Sequence, residues 1–595
     1  MDQQVFRLFN SLTKETGPFV AGDPSLVTMY TCGPTVYDYA HIGNFRSFLF
    51  ADVLRRWLES PLCAVEDEKG KVHAGPRRVV QVMNLTDVGH MTDDEAADGA
   101  GEDKMEAAAR RLLEAKKSGK LPSDAPKDFD PTNPYHIARF YEGAFLEDAE
   151  LLGVKVAGER EDDARVMPRA TEHVREMLAM IARLLKNDHA YVSPKGDAAY
   201  FDTQKFGDYG ELSGNTLDKL RAGAGGRVSG ANQSEKKHPA DFLLWKKDAS
   251  HVMKWDPAAP EMLGNNAGPL AGMVGYPGWH IECSAMAESS VRALAGEGFR
   301  HTLDLHTGGE DNIFPHHECE IAQSRCAWDT ERFARQWAHV RHLMVEGEKM
   351  SKSKGNFYTI RDLIAKGFDP AAIRLELIKT HYRSNANFTS QGLQDSERRV
   401  GRWRKCARWL TAKARKFEHH STHRTLSDGE IWERIKHSDA SVRLVRSASH
   451  DLNLSVVLAA LDLMSSDIEA IDEHPKGITS LSPTNAPGVS IPHAPLRSFQ
   501  TIPFNNTMTD ADFADLIKLA AFHLIDGVLG VIFCPPQEKP TLYDAHTNEL
   551  RLARDAARKA KDWAASDRLR DELVALGYEV KDTAQGTVVT RKASL

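Results

Sequence analysis

The sequence predicts an α/β protein whose principal part is a doubly wound parallel sheet, split by an inserted domain. Three observations predict it. Leu26 to Thr31 and Arg78 to Leu85 are apolar runs of strand character, and Phe45 to Leu58 between them has helical spacing. Strand, helix and strand in that order form a parallel unit with a right-handed crossover. The turn after the first strand, Cys32-Gly33-Pro34, leads to His41-Ile42-Gly43-Asn44 at the helix start. Doubly wound sheets hold an anion against helix N–H groups at this place. Strand-like runs return at His301 to His306 and at Trp337 to Val345, so the second half of the sheet lies beyond a long interruption.

A chain of 595 residues, 41% hydrophobic and 27% charged, is expected to form about three or four soluble domains. Met1-Asp2-Gln3-Gln4-Val5 shows no basic region followed by an apolar run, so no signal peptide is expected. The most apolar window, Leu516 to Cys534, is interrupted by Lys518, His523 and Asp526 and reads as a packed helix. Seven cysteines, an odd number without framework spacing, fit a reducing compartment, and the cytoplasm is the expected location. A net charge of −8 argues against a uniformly basic nucleic-acid binder and leaves local patches open.

Along the chain, residues 1 to 25 read as an entry arm. Gly89 to Pro131 reads as a solvated insertion with one helix, Glu102 to Lys116, and a loop from Ser118. Pro134 to Leu152 and Ala170 to Lys186 have helical spacing, and Asp197 to Thr203 reads as a strand. Gly223 to Pro239 is rich in Gly, Ser and Lys; Asp241 to Lys246 is apolar again, and Asp248 to Met273 reads as a second surface insertion. These patterns divide the chain into a first half-sheet (1–130), an inserted domain (131–245) and a second half-sheet (246–368). Helical spacing over Pro370–Thr380, Gln391–Glu418, Asp428–Ser447 and Ser455–Ile471 makes 369–472 a bundle. Residues 473–546 read as a Pro/Ser/Thr-rich linker and a further bundle helix. The last unit, 547–595, reads as a broken helix, Arg551 to Leu576, then two short strands, a small α+β unit.

Three stretches carry chemistry. His41, Gly43 and Asn44 combine donors with a close backbone approach, as phosphate oxygens require. Lys349-Met350-Ser351-Lys352-Ser353-Lys354-Gly355-Asn356 is a cationic, hydroxyl-rich loop after a strand and tight turn, suited to charge that moves during nucleotidyl transfer. Cys32, Cys283 in Gly278-Trp279-His280-Ile281-Glu282-Cys283-Ser284, and His316-His317-Glu318-Cys319-Glu320 supply metal-type ligands, with His316 and Glu320 one helical turn apart. Spacing alone leaves His317, Glu318 and Cys319 open as alternatives. Arg398 to Lys416 holds nine Lys or Arg and no Asp or Glu, with Trp403 and Trp409 interleaved. That pattern suits RNA, or equally a charged helix whose tryptophans face a core.

The His41 and Lys349 stretches together resemble the two signatures of class I aminoacyl-tRNA synthetases. With Cys32 through Asp38, Gly278 through Met286, Phe314 through Glu318, Ile321-Ala322-Gln323-Ser324, His381-Tyr382-Arg383-Ser384 and Asp567 through Asp571, the chain is similar to the cysteinyl-tRNA synthetase family over most of its length. The resemblance implies a Rossmann-type catalytic domain holding one Zn2+ on Cys32, Cys283, His316 and Glu320. It implies catalytic roles for His41, Asn44, Lys349 and Lys352. ATP, taken with Mg2+, would meet His41, Gly43, Asn44, Gly309, Asp311 and Lys352. Thr35, Trp279 and His306 would line the amino-acid pocket. The implied partners are L-cysteine, ATP and tRNA(Cys), bound by a monomer with no membrane contact, and the last unit would read the anticodon. Thr307 stands where the family usually has glycine, Cys319 where it has asparagine, and Gly89-His90-Met91 follows Thr86-Asp87-Val88 in place of an acidic pair and lysine. Two rivals are a cysteine–amino-sugar ligase on the same core and a non-catalytic RNA-binding relative. Some two hundred residues beyond the Lys349 loop argue against the first. Intact His41, Asn44, Lys349 and Lys352 argue against the second.

Overall fold

The computed structural model describes residues 4–591 except 90, 94–99, 120, 123, 127, 218–234, 352–354, 419–423, 426–444, 473–502, 505–509, 533–544, 561, 577 and 584–585. In chain order, β1 (Leu26–Thr31), α1 (Ile42–Glu59) and β2 (Arg78–Met83) are followed by α2 (Lys104–Lys117), α3 (Pro134–Leu151) and α4 (Val174–Lys186). An antiparallel sheet then forms from β3 (Ala190–Val192), β4 (Ala198–Phe201), β5 (Phe242–Lys247) and β6 (Gly275–Pro277). Helix α5 (Trp279–Ala295), β7 (Leu303–Gly309), α6 (Glu318–Trp328) and β8 (Ala334–Val340) return the chain to the first sheet. Helices α7 (Pro370–Ile378), α8 (Ser390–Glu418), α9 (Leu454–Asp472) and α10 (Asp510–Leu529) follow. The last unit is α11 (Ala545–Lys559), α12 (Trp563–Ala575) and a hairpin of Tyr578–Thr583 with Gly586–Arg591.

The central sheet has the order β8-β7-β1-β2, and every pairing in it is parallel. The chain runs outward from β1 to β2, then returns to build on the other side of β1. The direction of winding therefore reverses between β1 and β7, and a crevice opens at their carboxyl ends, where doubly wound sheets bind ligands. Alternation along β1 sends Val27 and Met29 into one core with α1, and Tyr30 and Cys32 into the opposite core with α5 and α6. A period of two thus decides which helices Cys32 meets. On the α1 side, Phe145 of α3 stacks on Phe45 at 5.5 Å and meets Phe48 edge-on at 5.4 Å.

Three expectations are corrected. The stretch 1 to 25, as far as it is described (4–25), is no arm: Phe6, Leu8 and Phe19 are fully buried, and Phe6 N donates to Ala64 O at 2.8 Å. Their apolar side chains need a core, and they extend the one behind α1. The run Trp337 to Val345 is two strands, because Arg341 N and His342 N leave the sheet for Tyr382 O and Glu310 Oε1, at 2.9 and 2.7 Å. Leu343–Val345 then joins a separate sheet with Glu348–Lys349 and Ala386–Phe388. The segment 248–273 is not merely surface: His251, Met253, Leu270 and Met273 are buried. His251 Nε2 lies 3.1 Å from Asp103 Oδ2 at the start of α2, joining the two segments read as separate insertions. Among the described residues, no helix is long and apolar enough to cross a membrane.

Candidate active site and metal centre

The carboxyl ends of β1 and β7 are tied together by Cys32 N, which donates to Thr307 O at 3.1 Å. The next residue must be glycine, since a Cβ on Gly33 would lie 1.8 Å from Asn84 O. So placed, Cys32 Sγ is 4.0 Å from Cys283 Sγ on α5 and 3.7 Å from Glu320 Oε1 on α6. His316, from the short helical segment Ile313–His317 that runs into α6, puts Nε2 at 3.3 Å from Cys283 Sγ and 3.0 Å from Glu320 Oε1. One donor atom from each of the four buried residues lies within 4.8 Å of the others. A tetrahedral zinc with bonds of about 2.0–2.3 Å requires donor–donor edges of roughly 3.3–3.8 Å. The edges here bracket that range, so the donor set fits zinc in size and in chemistry.

A second set, Cys32, His306, His317 and Glu320, meets the same distance limit. Here His317 Nε2 is 3.2 Å from Cys32 Sγ, and His306 Nε2 is 3.1 Å from Glu320 Oε2. The first set alone offers two sulfurs, the ligands zinc takes most readily in closed sites. Two of its members, Cys283 and Glu320, are drawn towards the anionic form, whereas burial and then Cys283 push the Cys32 thiol well up. Burial pushes the Cys283 thiol up, but its hydrogen bond with Cys32 and the charge on His316 bring it down to about 7. Burial also opposes ionisation of Glu320, and His306 and His316 overcome it, bringing the carboxyl to about 2. His317 is driven well below the ordinary imidazole range by burial and then by the rings of His306 and His339. The surround is built to orient these groups. Trp279 stacks on His316 at 4.3 Å, His280 Nδ1 is 3.1 Å from His316 Nδ1, and His317 Nδ1 is 2.7 Å from His339 Nε2.

The nucleotide side is built at the start of α1. Asn44 N donates to His41 Nδ1 and His41 N donates to Asn44 Oδ1, both at 3.1 Å, a reciprocal cap. A neutral His41 ring that accepts at Nδ1 carries its proton on Nε2, a donor. No acidic residue lies in the first turn, so the positive end of the helix dipole faces an incoming anion. The Lys349 hairpin turns through Glu346 and Gly347, with φ of 49° and 82°, the left-handed pair a two-residue turn demands. The chain then crosses α1. A Cβ on Gly43 would sit 2.6 Å from Met350 Cε, Ile42 N donates to Tyr358 O at 3.0 Å, and Phe357 meets the His41 ring edge-on at 5.1 Å. The two signature stretches therefore touch. Lys352, with Ser353 and Lys354, lies outside the described residues.

Residues 18–398 match the family described as the tRNA synthetases class I (C) catalytic domain, and residues 543–589 match the cysteinyl-tRNA ligase anticodon binding domain. A cysteine–tRNA ligase of Salinibacter ruber is 36% identical over 100% of this chain and 99% of its own length. Those of Chlorobaculum tepidum and Thermus thermophilus are 33% and 34% identical, over 98% and 97% of this chain and 99% and 98% of theirs. The chain belongs to the cysteinyl-tRNA synthetase family. It is, with that family, an ATP-dependent aminoacyl-tRNA ligase.

Within this synthetase the other expected site residues fall in three places. Trp279 and His306 lie at the sulfur cluster, whereas Thr35 is half-buried in a bridge with Thr86. Gly309 and Asp311 cap β7, with Gly309 N on Asn312 Oδ1 at 3.0 Å and Asp311 Oδ2 3.4 Å from His342 Nδ1. Thr307 donates its hydroxyl to Thr31 Oγ1 at 2.9 Å and is buried between the two strands. Glu318 and Cys319 turn away from the cluster. Glu318 accepts from Ser213 N at 2.8 Å, and Cys319 Sγ is 3.5 Å from the Tyr209 hydroxyl. His339 escaped the sequence reading, because a lone histidine in an alternating strand carries no motif.

Four basic residues of α8 pair with acids of the bundle, while Arg398, Lys405 and Arg408 are exposed. Arg399 and Arg402 pair with Asp462 of α9 at 2.7 and 3.7 Å, Arg404 pairs with Asp369 and Lys413 with Asp515. Trp403 is fully buried and donates Nε1–H to Asp462 Oδ1 at 3.0 Å. Of the two readings of this run, Trp403 takes the core one: partner acids lie on neighbouring helices, and the indole has both burial and an acceptor there.

Proposed function

We propose that this synthetase activates L-cysteine with ATP and transfers it to tRNA(Cys), as a monomer, with Cys32, Cys283, His316 and Glu320 as the ligands of one zinc. The observation that carries the reading is the adjacency of the buried two-sulfur donor set to the end of β1, whose continuation, Cys32 to His41, enters the anion-facing N-terminus of α1. In the first step a carboxylate oxygen of cysteine bonds to the α-phosphorus, the α–β phosphoanhydride bond breaks, and pyrophosphate leaves. In the second, a hydroxyl of the tRNA terminal ribose attacks the acyl carbon and AMP leaves. His41, Asn44 and the α1 N-terminus hold phosphate oxygens, Gly43 admits them to the backbone, and Lys349 and Lys352 meet charge developing on the leaving group. Gly309 and Asp311 border the nucleotide, and Trp279 and His306 wall the amino acid. Zinc, when bound, would take the substrate thiol as thiolate at neutral pH and so favour cysteine over serine.

Cysteine-dependent ATP–pyrophosphate exchange, run with cysteine and with serine and followed by tRNA charging, tests the whole reading. Exchange without charging would leave the amino-sugar rival; no exchange would leave the RNA-binding one. For Lys352→Ala, kcat and kcat/KM for exchange are expected to fall together, by about 10²-fold. A raised KM for ATP at unchanged kcat would refute this role.

The last unit has a small core of its own around Leu550 and Leu573, and it is expected to act as a separate module. A chain ending before Thr547 should keep cysteine-dependent exchange and lose charging efficiency. Collapse of exchange in a folded truncation would assign the unit to the catalytic core.

A further inference from the structure

We propose that Arg361 is a positioning residue for the activation step, holding the chain that leaves the Lys349 loop against the segment that enters α1. The inference rests on the adenylate reading above and concerns residues that touch neither phosphate nor metal donor. Arg361 lies in the short helix Ile360–Ala365, whose cap Thr359 donates from N and Oγ1 to Asp362 Oδ2 at 2.8 and 2.7 Å. Thr359 also forms an antiparallel bridge with His41. The guanidinium reaches α3 and the loop before it. Nη2 donates to Ala144 O at 3.1 Å and Glu147 Oε2 at 2.5 Å, Nε lies 3.2 Å from Asp148 Oδ1, and Nη1 donates to Asp124 Oδ2 at 3.2 Å.

Tyr39 closes the link, two residues before His41. Its hydroxyl donates to Asp124 Oδ1 at 3.1 Å, and the Arg361 guanidinium lies 5.6 Å from its ring centroid. The ring meets Phe140 and Tyr141 of α3 edge-on, at 6.0 and 5.2 Å. One guanidinium therefore spans the exit of one signature and the entrance of the other, with α3 as a common support. Its fixed planar fork suits orientation, which a point charge on a flexible stem does not supply. The Asp124 and Glu147 side chains are 40% and 69% exposed, so those pairs add little to folding. Burial raises the Asp148 carboxyl to about 7 even beside Arg361, so without the arginine this group can take up a proton instead of standing as a bare buried charge.

The test uses the full-length chain with its metal, comparing wild type with Arg361→Gln and Arg361→Lys. For Arg361→Gln, kcat for exchange should fall about 10- to 100-fold, the size expected when reacting groups are misplaced by about 1 Å. The KM for cysteine should stay within about threefold of wild type, since the sulfur cluster is untouched. Metal content and thermal midpoint should be nearly unchanged, and Arg361→Lys should fail to restore kcat. An unchanged kcat, a loss that merely tracks lost metal or folded protein, or full rescue by lysine would each overturn the inference. If Arg361→Gln does not fold, Tyr39→Phe removes only the hydroxyl link to Asp124. A reduced kcat at unchanged KM for cysteine supports the inference, and an unchanged kcat overturns it. Absence of exchange in the wild type would sink the adenylate reading together with this inference, whereas wild-type exchange with an unaffected variant sinks the inference alone.

Discussion

Cys283→Ala is expected to lower cysteine-dependent pyrophosphate exchange by about 10³-fold or more, equivalent to about 4 kcal/mol of transition-state stabilisation. The substitution takes one of two sulfurs from the donor set and leaves Cys32, His316 and Glu320 buried without it. Metal content, measured by elemental analysis, should fall in parallel with activity. Cys326→Ala is the matched control. That cysteine is also buried, on the same side of the sheet, but belongs to neither donor set, and its variant should keep its metal and most of its exchange activity. In cobalt-substituted protein, a sulfur-to-cobalt band should change on adding cysteine and not on adding serine. A fully active, metal-replete Cys283→Ala protein would exclude this cysteine as a ligand, and a band indifferent to cysteine would exclude thiolate ligation.

Arg374→Met is expected to destabilise the chain by about 3–5 kcal/mol, the cost of breaking a buried ion pair on one side. Arg374 and Asp52 are each 1% exposed and pair directly. The same guanidinium donates to Leu529 O at 2.6 Å and Leu152 O at 2.9 Å. One side chain thus joins α1, the end of α3, α7 and the end of α10. Asp52 lies below the usual carboxylate range: burial opposes ionisation, but the charges of Arg56 and Arg374 outweigh it. With its folded pKa depressed, the pair contributes stability above the unfolded carboxylate range and loses it as pH falls through and below that range. The difference between wild type and Arg374→Met in urea melts should therefore narrow towards strongly acid pH. The double variant Asp52→Leu/Arg374→Met should recover only part of the loss, because Arg56 Nε and Lys155 N, which donate to the Asp52 carboxylate at 2.7 and 2.8 Å, lose their acceptor as well. A single variant as stable as wild type at pH 7 would show that the pair contributes nothing net.

How legible the protein was depends on the kind of signal. Periodicity located β1, α1, β2 and most of the later helices, since apolar spacing reports which face is buried. The break expected within Arg551 to Leu576 falls between the end of α11 at Lys559 and the start of α12 at Trp563. Periodicity failed where the structural reason lies far away in sequence. Phe6 and Leu8 looked like an arm because the core they enter is completed by α1 and Ala64. Val340 and Leu343 looked like one strand because nothing local shows that Glu310 and Tyr382 would draw Arg341 and His342 aside. Trp403 stood between two readings until Asp462, on another helix, supplied its acceptor.

By itself, the sequence determined the chemistry on offer: two cysteines and a His-His-Glu run able to bind a soft cation, a His-Gly-Asn helix start, a lysine-rich loop, and a resemblance that named a family. These are properties of residue types and short spacings, and they survive without a fold. Only the tertiary structure decided which of those groups meet. The parity of β1 turned Cys32 towards α5 and α6, and the reversal of winding between β1 and β7 set it beside Cys283, 251 residues away in sequence. It likewise turned Glu318 and Cys319 away from the cluster onto Ser213 and Tyr209, brought His339 to His317, and laid Met350 on Gly43. The physical reason is that a metal site or a phosphate clamp is an arrangement of distances between remote segments, and those distances are set by sheet order and helix packing rather than by local sequence.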